Sequence, residues 1–228
     1  VQKYSVQVVL LEDMLGTVPL DKDVYTKFSV EELPELPGDE LESLVRAINN
    51  NLANDEDTAE EGSVFGGAQK PITGFHKDEH GNPIIYNYVI KGFLKAACGA
   101  LRRTRETLSN KLSAYKQVID GLFFVNPRKI SIELSGPIGI LERPLRAQTA
   151  QGERVAIARS ETVPAGSTLA FEIIALGDVI QKGKGTMSAE ELIREWMDYG
   201  KWRGLGQWRN AGYGAFEAVI SREPAEAE

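Results

Sequence analysis

The hydrophobic periods of the chain predict an α+β fold in the order strand, helix, strand, strand, helix, strand. Three observations predict it. Alternating or β-branched apolar runs stand at residues 4–11, 129–134, 168–175 and 213–220. Stripes with a helical period stand at residues 91–118 and 189–199. The two stripes are placed so that the sequence reads as a split βαββαβ, the ferredoxin-like arrangement, with both helices on one face of an antiparallel sheet. One domain over residues 1–228 is expected. Residues 30–62 form a helical, acidic insertion within it, and residues 142–160 form a basic hairpin.

A chain of 228 residues is long enough to bury about 70% of its unfolded surface. The one cysteine, Cys98, rules out an intrachain disulfide and fits a reducing cytosol. No apolar run is long enough to span a bilayer and no leader pattern stands out, so a cytoplasmic protein without a membrane partner is expected. The net charge of −7 argues against nucleic acid, but it hides an asymmetry. Residues 1–90 hold 6 Lys/Arg against 17 Asp/Glu, residues 91–159 hold 13 against 5, and residues 160–228 hold 7 against 11. The basic middle can act locally, because salt confines each charge to about 8–10 Å.

Along the chain, the strand at 4–11 leads into a loop through Val18-Pro19 that carries Asp21 and Asp23. Aspartates in such a loop commonly satisfy turn backbone, and as a pair they also offer a site for water or a metal. In the insertion, Asp39 caps a helix whose Leu41, Leu44, Val45, Ile48 and Leu52 share a face, and an acidic linker follows at 53–62. Residues 71–75 and 83–86 bracket a turn at 78–81 and read as a hairpin. Both histidines, His76 and His80, sit there. Either is a turn residue or a general base; no further ligands at suitable spacing support a metal site, and no cofactor is implied.

The first long helix is expected from Lys91 to about residue 118, with Ser109-Asn110 as the point where it would break. Lys91-Gly92 at its start offers free N–H groups and a positive dipole end, and Arg102, Arg103 and Arg105 lie further along. The strand at 129–134 alternates strictly. The hairpin that follows carries Arg143, Arg146, Arg154 and Arg159, suited either to solvent or to a nucleic-acid strand. The strand at 168–175 is expected to be largely buried on both faces. Ser188 and Glu191 have capping-box spacing before the second helix.

The segment from Gly204 to Phe216 then reads GLGQWRNAGYGAF. Four glycines in eleven residues cost backbone entropy and suit a chain that turns sharply or approaches something closely. There is no P-loop, nucleophile elbow or H-E-x-x-H.

These residues carry a family resemblance. The glycine-rich segment resembles the C-terminal loop of the RAMP superfamily of CRISPR-associated proteins. GNPIIYNYVIKGFLK at 81–95 resembles that family's approach to its first helix, and ETVPAGSTLAF at 161–171 resembles its Glu-x-Val-Pro-x-Gly strand start. Tyr88-Val89 stands where serines are usual, and the acidic insertion has no counterpart. The resemblance implies an RNA-binding subunit that holds guide RNA, and with it a target strand, among other CRISPR effector subunits or as a homo-oligomer along RNA. The implied RNA contacts are Lys91, Gly92, Gly204, Gly206, Trp208, Arg209, Gly212 and Gly214, with Arg143, Arg146 and Arg154 as secondary contacts. Two other readings stay open. One is an endoribonuclease using His76 and His80, or Asp21 and Asp23. The other is a protein-interaction module that has lost RNA binding.

Overall fold

The computed structural model describes residues 1–20, 72–149, 152–181 and 185–223. The readings of Asp21, Asp23 and residues 30–62 lie outside them. The described chain is α+β with mostly antiparallel sheets, and it divides into two compact units. The first comprises Val1–Gly16, Phe75–Gly139 and Thr162–Glu228, and the second Thr17–Gly74 and Ile140–Glu161.

In the first unit, β1 (Gln2–Leu10) lies between β11 (Thr168–Ala175) and β14 (Phe216–Arg222), antiparallel to both, with Val6 opposite Phe171 and Ile220. The far edge of β11 pairs with β7 (Phe123–Asn126) and β8 (Lys129–Glu133). Beyond β8 come β6 (Pro83–Tyr86) and β5 (His76–Lys77), giving the order β14-β1-β11-β8-β6-β5. Alternation explains the placement. Tyr4, Val6, Val8 and Leu10 of β1 and Leu169, Phe171 and Ile173 of β11 are buried, each worth roughly 1.5–3 kcal/mol. They join one core with helices α1 (Asn87–Leu101) and α4 (Ala189–Asp198). Phe93 packs on Phe216 with ring centroids 5.0 Å apart, and Trp196 stands edge-on to Phe123 at 5.0 Å. Ser188 caps α4: its Oγ accepts from the Glu191 N–H.

Three expectations are corrected. First, β11 is buried on one face only: Ala170 is exposed, and Thr168, Glu172 and Ile174 are half-buried. On that second face β1, β11 and β14 present Gln7, Val9, Ala170, Glu172, Glu217 and Val219. A single-strand platform needs stacking rings, and these three strands offer carboxylates and aliphatic groups there.

Second, the first helix starts at Asn87, four residues before Lys91, and ends at Leu101. Asn87 anchors the start, its N–H donating to Arg128 O and its Nδ2 to Val125 O. The break after Leu101 has tertiary causes. Glu106 takes a left-handed φ of 70°, and Thr107 Oγ accepts from Asn110 N and donates to Leu101 O, starting α2 (Leu108–Lys111). Glu195 of α4 accepts from Leu108 N, Ser109 N and Ser109 Oγ, and Trp196 Nε1 donates to the same hydroxyl at 2.9 Å. α3 (Tyr115–Leu122) follows as a separate helix.

Third, the hairpin expected at 71–86 is shorter. His76 pairs with Ile84 and Lys77 with Pro83, around Asp78, whose carboxylate accepts from His80 N and Asn82 N. β4 (Ile72–Gly74) belongs to the second unit. A small hairpin of β12 (Val179–Gln181) and β13 (Gly185–Met187) carried no sequence signal.

In the second unit β4 runs antiparallel to β3 (Val18–Pro19) and parallel to β10 (Gly152–Val163), which also pairs with β9 (Gly139–Thr149). The Thr73 and Ser160 hydroxyls bond at 2.8 Å. Arg159 pairs with Glu142 at 2.7 Å, an exposed contact of at most about 1 kcal/mol.

Cys98 is fully buried in the first unit, and burial pushes its thiol up to about 11. It is therefore expected to resist a thiol reagent at pH 8 in the folded protein and to react on addition of denaturant. Prompt labelling without denaturant would contradict that packing.

Candidate nucleic-acid interface

The glycine-rich segment is built on itself. α4 runs into a 3-10 turn (Tyr199–Lys201) in which Gly200 lies flat against the Phe216 ring, with no room for a Cβ. Leu205 N donates to Gly214 O at 3.0 Å, drawing the two Gly-x-Gly units together. A Cβ on Gly204 would sit inside the Gly214 peptide, and one on Gly214 inside the Leu205 carbonyl. Gly214 also needs its positive φ of 69°. The paired units dock on the turn after β1: Gly214 N donates to Asp13 O at 2.8 Å, Gln207 N to Leu15 O at 3.2 Å, and Leu11 N to Ala215 O at 2.7 Å. Gly206 lies against Leu15 and Met14 of β2 (Met14–Leu15). Leu205 is 1% exposed and plugs the middle. The close approach that the glycines permit at 204, 206 and 214 is thus to the chain itself. Of the four loop glycines, Gly212, with φ 91°, alone has open space where a Cβ would be.

This scaffold holds out an apex. Trp208 takes a left-handed φ of 54°, rare for a bulky residue, and stacks on Tyr213 at 5.3 Å and 12°. It remains 41% exposed. Arg209 opens the short 3-10 turn Arg209–Ala211, closed by Gly212 N donating to Arg209 O. The apex combines an aromatic face, a guanidinium and open backbone at Gly212. Tyr213, the ring under Trp208, falls in the run 213–220 read as the last strand, whereas that strand begins at Phe216. Its signal was an aromatic five residues after another inside a glycine loop.

Lys91 and Gly92 lie one turn inside α1, where the backbone N–H groups are already used by the helix. The free N–H reading of this pair is corrected accordingly. Lys91 Nζ donates to Asp120 O at 2.9 Å, stands 3.7 Å from the Asp120 carboxylate and lies 4.9 Å over the Phe124 ring. Burial lowers its pKa, partly offset by Asp120. Lys95 also reaches Asp120, at 2.7 Å. Lys91 therefore faces α3 and β7, whereas the loop faces the end of β1. Arg143 is half-buried on β9 of the second unit. The backbones of Arg146 and Arg154 lie in β9 and β10, and their side chains are outside the described residues.

His76 stands edge-on to Tyr86, with centroids 4.8 Å apart, and His80 rides the exposed turn. Among the described residues no group of His, Cys, Asp and Glu is arranged to hold a metal, and no helix is long and apolar enough to cross a membrane. Burial lowers the His76 pKa below its ordinary 6.5. Above pH 6.5 both folded and unfolded forms are neutral there. As pH falls below it the unfolded chain takes up the proton first, so stability declines until the folded value is passed. Urea midpoints at pH 7.5 and 5 should accordingly differ more for the parent than for His76→Gln.

No protein-family model matches the sequence, and no curated protein matches it. Solved structures are similar to it, two of them as follows. A chain of the cryo-EM structure of the Type III-B Cmr-beta bound to cognate target RNA aligns with 99% of this chain at 13% identity and a TM-score of 0.49. This chain spans 61% of that one. A chain of a Type IV-B CRISPR complex aligns with 99% of this chain and 92% of its own length, at 13% identity and a TM-score of 0.45.

Proposed function

We propose that this chain is an RNA-binding subunit of the RAMP type. It holds guide RNA, and a target strand paired to it, within a multi-subunit ribonucleoprotein in the cytoplasm. The order β14-β1-β11-β8, with α1 and α4 packed against one face, supports the ferredoxin-like core that this reading requires.

The observation that carries the proposal is the loop apex. A self-packed glycine scaffold holds a strained, exposed Trp208 on Tyr213 beside Arg209. Such a ring offers one face to a base and the guanidinium offers charge to a phosphate, the two parts of sequence-tolerant single-strand binding. In this reading Arg143, Arg146 and Arg154 of the second unit are secondary RNA contacts. Catalysis is assigned to neither histidine: His76 contacts an aromatic ring, and His80 sits on an open turn.

The test is direct. Purified protein is expected to carry RNA, visible as a raised 260/280 nm absorbance ratio. After the RNA is stripped, it should bind labelled single-stranded RNA without cutting it in Mg²⁺, and should sediment as larger particles along longer RNA. A bare-protein absorbance ratio together with no retained RNA in a filter assay would overturn the proposal. Cleavage abolished by His76→Ala would revive the nuclease reading.

A further inference from the structure

At the root of α1 the structure leaves a cleft of about 200 Å³ lined by Asn87, Tyr88, Lys91, Phe124, Val125 and Asn126. Its size limits what it takes. Sites for drug-sized ligands run to roughly 300–1,000 Å³, so this one suits a single planar ring system rather than a whole nucleotide. Two of its walls are aromatic and unusually open: Tyr88 is 60% exposed and Phe124 41%. Tyr88 is held by stacking on Tyr86 at 5.6 Å and 11°. The polar part is amide. Asn126 pairs with β11 through its backbone, and its side chain makes no hydrogen bond among the described residues. Asn87 spends its Nδ2 on Val125 O, and its side-chain oxygen remains an acceptor.

The charge in the cleft argues against a phosphate. The Lys91 ammonium is already bonded to the Asp120 carbonyl and faces that residue's carboxylate, and its remaining side lies over the Phe124 ring. Aromatic rings with an unused donor–acceptor amide are instead the chemistry that recognises a nucleobase, by stacking and by its hydrogen-bonding edge. A phenylalanine or leucine from a protein partner would fill the volume but make no use of the exposed Asn126 amide.

We infer that this cleft takes one unstacked nucleobase of a bound RNA, packed against Tyr88 and Phe124 and read by the Asn126 amide. The inference rests on the RNA reading above for the source of the base. In it Lys91, expected as an RNA contact at a helix start, is part of the wall that shapes the base site.

The four free ribonucleosides, which lack phosphate, separate the two ideas. They are titrated into the full chain by NMR, beside ribose 5-phosphate and p-cresol, the latter standing in for a partner's tyrosine. At least one nucleoside is expected to bind and to bind better than either other probe. Phe124→Ala should weaken it about ten-fold, within the range of base–aromatic stacking. Phe124→Leu keeps the bulk without the ring and should weaken it similarly, which covers the case in which the alanine variant fails to fold. Asn126→Asp removes the N–H donor and should change which nucleoside is preferred. Ile180→Ser, at an exposed position of β12, should leave binding unchanged. The inference is overturned if no nucleoside binds, if Phe124→Leu binds like the parent, or if p-cresol binds best, which would indicate a protein side chain. RNA bound without any nucleoside binding removes the cleft inference and leaves the RNA reading standing. Nucleosides bound without RNA binding keeps the cleft and removes the RNA reading.

Discussion

Gly214→Ala is expected to cost about 4 kcal/mol or more, in the exceptional range for one substitution. Two costs combine. The backbone at 214 has a φ of 69°, and any Cβ meets the Leu205 carbonyl, a backbone group that has no rotamer to move aside. Relief requires separating the two Gly-x-Gly units. That breaks the Leu205–Gly214 hydrogen bond and unseats Leu205, which is fully buried. Against a total stability of roughly 5–15 kcal/mol, such a loss leaves a marginal fold. Gly204→Ala should behave similarly, because its Cβ meets the Gly214 peptide. Gly212→Ala meets nothing and carries only the left-handed penalty, about 1–2 kcal/mol. Urea denaturation of the three variants gives the comparison. If Gly214→Ala were no less stable than Gly212→Ala, the self-packed scaffold would be wrong. A loop whose glycines served only to admit RNA would show the reverse pattern, with folded Gly214→Ala protein that fails to bind.

The fold was legible where local signals agree with tertiary packing. The alternation in β1 and β8, the run forming β11 and the Ser188 cap each mark an element seen in the structure. Legibility failed where the deciding partner is distant in sequence. Residues 87–89, Asn-Tyr-Val, stand before the expected helix start at Lys91, and they are helical because Asn87 is held by Arg128 O and Val125 O. The short helix after the break depends on Glu195, almost ninety residues beyond Leu108 and Ser109, whose N–H groups it accepts. The single buried face of β11 shows that an apolar run reports strand propensity more reliably than it reports what covers each side. At the candidate site, composition located the loop but not what its glycines approach. Close approach to RNA and close approach to the turn at Asp13–Leu15 demand the same residue type. The cleft at α1 had no linear signature, since Tyr88 and Phe124 are separated by thirty-six positions and meet only through the fold.

The scaffold and its apex should therefore separate experimentally, and salt distinguishes the two apex residues. Trp208→Asn is the informative change. Asparagine tolerates the left-handed backbone that tryptophan occupies at φ 54°, so the loop should keep its shape while losing its exposed ring. A base stacked on that ring contributes about 1–3 kcal/mol, so affinity for single-stranded RNA should fall roughly ten-fold at every salt concentration. Arg209→Ala removes a charge instead. Each phosphate neutralised on a single strand contributes about −0.7 to the slope of log affinity against log salt. That variant should flatten the slope by about 0.7, and its deficit should shrink as salt rises. The double variant should lose about a hundred-fold at low salt, with its urea midpoint close to that of Trp208→Asn alone. Filter binding from 50 to 300 mM salt reads all three. A slope changed by Trp208→Asn but not by Arg209→Ala would mean that the apex does not meet RNA in the orientation proposed. Equal affinities for all four proteins would place the RNA elsewhere on the chain.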